Sequence, residues 1–133
     1  KIEKVASAKS TSILTTLSKS EHVDFAQIWA WQNCKDPQSR LSYGDQDTLD
    51  ILASKIPSNA ACILFVTDDA PPPWPSFAGP FQALSSLLAN HRYFEFLLVG
   101  KDLIWYVFDT HMNELVFGGS NTRLNTLCNF SVD

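Results

Sequence analysis

The segment Tyr93–Gly119, YFEFLLVGKDLIWYVFDTHMNELVFGG, constrains the fold more than any other part of the chain. It reads as three strands joined by tight turns. Side chains alternate with period 2 along a strand, so Phe94, Phe96 and Leu98 share one face of the first. Gly100-Lys101 supplies a hairpin signal, with Gly free to take positive φ at the first turn position. Ile104–Phe108 continues as a second strand, Thr110–Glu114 turns again, and Leu115–Phe117 returns before Gly118-Gly119 stops the pairing. An aromatic meander of this kind needs a cover over at least one face.

The rest of the chain offers that cover. Ile2–Leu17 reads as a helix with Ile2, Val5, Ala6, Ile13, Leu14 and Leu17 near one stripe, its propensity lowered by the Ser/Thr-rich centre. Val23–Cys34 fits helical spacing at Phe25, Ile28 and Trp29, although Phe25, Trp29 and Trp31 also fit a strand face. Ser18–Glu21, SKSE, has capping-box spacing for a helix starting near His22. Lys35–Gly44, with Pro37, reads as loop. Asp47–Ile56 repeats Leu49, Leu52, Ala53 and Ile56 at helical spacing, with Asp45 or Asp47 available as cap. Ala60–Thr67 is a short apolar run, expected for a strand covered on both faces. Pro71, Pro72, Pro73 and Pro75 then force a stiff excursion, and Gly79-Pro80 opens a helix over Phe81–Asn90. Together these elements predict an α+β protein whose antiparallel or mixed sheet has about four strands, with helices packed mainly on one face. No internal repeat or long linker divides residues 1–133, so a single domain is expected, its tail 120–133 loosely attached.

Charge narrows the functional classes. The net charge is −4, and it is unevenly spread. Residues 1–42 carry six bases against four acids; residues 43–91 carry Asp45, Asp47, Asp50, Asp68 and Asp69 against Lys55 alone; residues 92–133 carry three bases against five acids. An acidic middle disfavours nucleic-acid or anionic-membrane binding and suits a basic protein partner. Cys34, Cys62 and Cys128 are odd in number and contain no CxxC, which argues against a disulfide framework or a zinc site and for a reducing cytoplasm. No apolar run reaches the roughly 20 residues of a membrane span, and KIEKVASAKS is too polar for a signal peptide.

Two groups of residues carry candidate chemistry. His91, Glu95, Asp109 and His111 are the polar residues at strand ends and turns, able in principle to bind a metal or run acid–base chemistry, but their spacing matches no ligand motif. Phosphate-loop, GxSxG and HExxH motifs are absent. The second group is the set of five aspartates with Trp74, an aromatic held among prolines beside Asp68 and Asp69. It is either an interface anchor on a pre-ordered loop or a lid folded back over the sheet.

The string FEFLLVGKDLIWYVFDTHMNELVFGG also resembles the C-terminal half of small bacterial domains of immunity-protein type. The matching positions are Phe94-Glu95-Phe96, Lys101-Asp102-Leu103, Trp105 and His111, and the resemblance covers roughly residues 90–119. It implies a non-enzymatic cytoplasmic protein, without cofactor or metal, that binds a cognate secreted antibacterial toxin and blocks its active site or substrate access. Should the toxin be a basic nuclease, Asp45, Asp47, Asp50, Asp68, Asp69 and Trp74 would face its cleft. Two other readings stand beside it. One is a small metal- or acid/base-dependent hydrolase using His91, Glu95, Asp109 and His111. The other is a regulatory adaptor.

Overall fold

A computed structural model of the chain describes residues 2–21, 24–26, 39–42, 47–68, 70–90, 95–103, 105–110 and 114–118. In chain order the elements are β1 (Glu3–Lys4), α1 (Ser7–Glu21), β2 (Ser39–Ser42), α2 (Thr48–Lys55), β3 (Ala61–Val66), β4 (Ser76–Pro80), α3 (Phe81–Ala89), β5 (Phe96–Gly100), β6 (Tyr106–Thr110) and β7 (Glu114–Gly118). The strands form one seven-stranded sheet in the order β1-β4-β3-β5-β6-β7-β2. Each neighbouring pair is antiparallel. The α+β class therefore stands, but the sheet is larger than the expected four strands and, among the described residues, has no parallel pair.

Period-2 alternation sorts the sheet's apolar residues into two cores. Ile63, Phe65, Leu97, Val99, Tyr106, Phe108 and Val116 join Ile13, Leu14 and Leu17 of α1, together with Phe25 and Trp74. Cys62, Leu64, Phe96, Leu98, Val107, Leu115 and Phe117 join Leu52 and Ile56 of α2 and Phe81 and Leu84 of α3. So α1 covers one face and α2 and α3 the other. The expectation of helices mainly on one face is corrected, because β3, β5, β6 and β7 are apolar on both faces and each face needs a cover. Phe25 is central to the first core, edge-on to Tyr106 at 5.0 Å and stacked on Phe108 at 5.8 Å.

Local chemistry accounts for the individual elements. Ile2 packs against one core and Val5 against the other, which a strand achieves and one helical stripe cannot; residues 3–4 are accordingly β1, and α1 starts only at Ser7. The hydroxyl-rich centre of α1 bonds back to its own carbonyls, Thr15 to Thr11 O at 2.9 Å, Thr16 to Ser12 O at 3.0 Å and Ser18 to Leu14 O at 2.7 Å. Ser18–Glu21 closes this helix instead of opening another, and the Ser18 hydroxyl accepts from Phe25 N at 2.8 Å. Of Val23–Cys34, only Asp24–Ala26 lie within the described residues, and they are not helical. Asp47 caps α2, its Oδ1 accepting from Leu49 N at 3.0 Å. Ala53, placed on the apolar stripe by spacing, is exposed, while Lys55 is buried with its ammonium 5.2 Å from the centre of the Phe117 ring.

The β3–β4 connection carries the prolines, with the Pro72–Pro73 bond cis, and closes through Val66 N to Pro75 O at 2.9 Å. Pro80 ends β4 and serves as the N-cap of α3, so the helix begins at Phe81. In the β5–β6 turn, the positive φ falls on Leu103, at 63°, and not on Gly100. Gly100 is glycine for a different reason: a Cβ there would run into the Trp105 indole.

Candidate partner-binding surface

Sheet register decides where the acidic residues stand. Val66 pairs with Phe96, Phe96 with Asp109, and Thr110 with Glu114. Asp68 lies two residues past the end of β3 and donates its N–H to Glu95 O at 2.9 Å. Four neighbouring strands, β3, β5, β6 and β7, thus deliver Asp68, Glu95, Asp109 and Glu114 to one end of the sheet. Asp68 is exposed in a left-handed backbone conformation, φ 40°, which Asp tolerates better than most residues. Glu114 is half-buried. Glu95 and Asp109 are only 4% and 2% exposed, and each is engaged with neighbouring groups.

The remaining aspartates are less concentrated. Asp47, the N-cap, and Asp50, in the first turn of α2, are exposed and suit the positive end of the helix dipole as well as any partner. Asp45 and Asp69 lie outside the described residues. Trp74 belongs to the core: it is 8% exposed, packs in the cluster under α1, and its Nε1–H donates to Ala70 O at 2.8 Å. Of the two roles its sequence context offered, the geometry is that of the lid.

The polar set His91, Glu95, Asp109 and His111 is not assembled by what the structure describes. His91 and His111 lie outside the described residues. Alternation puts Glu95 on the face of Leu97, in the core under α1, and Asp109 on the face of Val107, in the core under α2 and α3. The sheet stands between their side chains. Among the described residues, no group of three or more His, Cys, Asp or Glu side chains is arranged to hold a metal ion. Cys62, the one cysteine within them, is a buried free thiol. Burial pushes it up to about 12 from its ordinary 9.0, with the Asp102 carboxylate adding to the rise, so it remains protonated and inert at neutral pH.

One member of the acidic end escaped the sequence reading. Glu114 reads as the last residue of a turn, and only the Thr110–Glu114 register places it beside the other strand ends. No protein-family model, no curated protein and no solved structure matches the chain. Among the described residues no helix is long and apolar enough to cross a membrane.

Proposed function

We propose that the chain is a non-catalytic binding protein of immunity type, which neutralises a secreted antibacterial toxin by docking a basic surface of that toxin on the acidic end of its sheet. The observation that carries this reading is the convergence of Asp68, Glu95, Asp109 and Glu114 on one strand end through register alone. The summed field of carboxylates gathered at one end attracts a cationic partner from a distance. Exposed Asp68 and half-buried Glu114 make direct contact. Asp47 and Asp50 are further exposed acids, at the start of α2.

Separation of Glu95 and Asp109 by the sheet supports a binding role over the hydrolase reading, since general acid–base chemistry needs both groups within reach of one substrate atom. The test is co-expression with the product of the adjacent gene, the usual position of a toxin relative to its immunity protein. A stoichiometric complex with restored growth supports the reading. A chain that captures no such product and protects no cell refutes it.

A further inference from the structure

The opposite end of the sheet carries the opposite charge. Where β3 begins and β4 and β5 end, a cleft of about 530 Å³ opens on the face covered by α1. Its floor is apolar, with Ile13, Ile63 and Leu103 contributed by the core beneath. Its rim carries Lys4, Lys9 and Lys101 against Glu3, with Asp102 following Lys101 and acting on Cys62 of the lining. In a chain of net charge −4 this is a local reversal of sign. The three lysines are exposed, and among the described residues none of them is ion-paired. Folding offers no reason to bring three unpaired ammonium groups around one concavity.

The start of α1 adds to the same field. Ala6 and Lys9 line the cleft, and the first i to i−4 bond of the helix runs from Ser10 N to Ala6 O at 2.9 Å. The N–H groups of Ser7, Ala8 and Lys9 therefore have no intrahelical acceptor, and no acid occupies the first turn to offset the dipole. A cationic rim over an apolar floor selects an amphipathic anion: lysine ammoniums bind phosphate as point charges, and the floor accepts a flat organic body. The volume falls within the roughly 300–1,000 Å³ range of small-molecule sites.

We infer that this cleft binds a small phosphomonoester of the mononucleotide class, with its phosphate among Lys4, Lys9 and Lys101 and its base or other apolar body against Ile13, Ile63 and Leu103. The site is independent of the acidic end, so either can fail without the other.

Isothermal titration of the intact chain with adenosine monophosphate tests the inference, with adenosine and inorganic phosphate titrated in parallel. The expected result is saturable binding of the nucleotide, tighter than either fragment and weakened by salt. The combined K4Q, K9Q and K101Q variant should bind at least about tenfold more weakly, while K19Q, in the last turn of α1, should bind as the parent does. All three substituted side chains are exposed, and an unchanged thermal melt confirms that the variant is folded. Absence of saturable binding, nucleotide affinity no greater than that of inorganic phosphate, or an undiminished affinity in the triple variant would each overturn it.

Discussion

Gly118 stands directly opposite Tyr106 in the β6–β7 pair, and the phenol ring lies over its Cα where a side chain would otherwise be. Tyr106 in turn packs edge-on against Phe25 and Phe108, so it has little room to move aside. Gly118→Ala should therefore destabilise the fold by about 1–3 kcal/mol through overpacking. Denaturant titration checks this, and Tyr106→Leu in the same chain should recover part of the loss. Strictly additive effects would place the ring elsewhere.

Ser76 presents the reverse situation. Its hydroxyl is buried and has no hydrogen-bond partner among the described residues. Removing an unsatisfied hydroxyl costs little, so Ser76→Ala should leave stability unchanged or raise it by up to about 1 kcal/mol. A loss of more than about 1 kcal/mol on denaturant unfolding would mean that the hydroxyl is paired.

How far these elements could be read from sequence depended on the signals each one carries. The meander, α2 and α3 were legible because their apolar residues recur at period 2 or at helical spacing, and β3 because it is a short continuous apolar run. β1 and β2 were not, being two and four residues long with no period to find; Ser39–Ser42 sat inside what read as a loop. β4 was hidden by Gly79 and Pro80, which look like breakers but here only end a strand. The acidic end was half legible. Composition showed an acidic middle, but the join of Asp68 to Glu95 and Glu114 depends on long-range register, which no local pattern encodes. Trp74 shows the converse: its prolines and aspartates suit an exposed anchor or a folded-back lid equally well, and only the fold, which puts the indole in the core, separates the two.

That placement makes Trp74 a stability residue. Trp74→Ala should cost about 3–5 kcal/mol in denaturant unfolding, because it empties a large core site and removes the bond to Ala70 O. At temperatures where the variant is still folded, its affinity for a partner should be unchanged. Loss of partner affinity with stability intact would mark Trp74 as a contact residue instead.

The Cys62 thiol links stability to pH. Its folded value is raised to about 12 from 9.0, so between those values the unfolded chain releases this proton while the native chain keeps it. Native protein then holds more protons, and stability falls as pH rises through that window, by up to about 1.4 kcal/mol per pH unit. Below pH 9 the contribution is fully present. In denaturant titrations from pH 8 to 11, the parent should lose stability more steeply than Cys62→Ala. Parallel curves for the two proteins would contradict the burial.

The acidic sheet end as a docking surface is tested most directly by association kinetics with the partner obtained through the neighbouring gene. Asp68→Lys and Glu114→Lys, singly and together, are mixed with that partner by stopped flow at low and high salt. Electrostatic steering predicts an association rate lowered about tenfold or more in the double variant at low salt, with the difference shrinking as salt is added. An association rate unchanged at low salt would remove the acidic end from the interface and contradict the account.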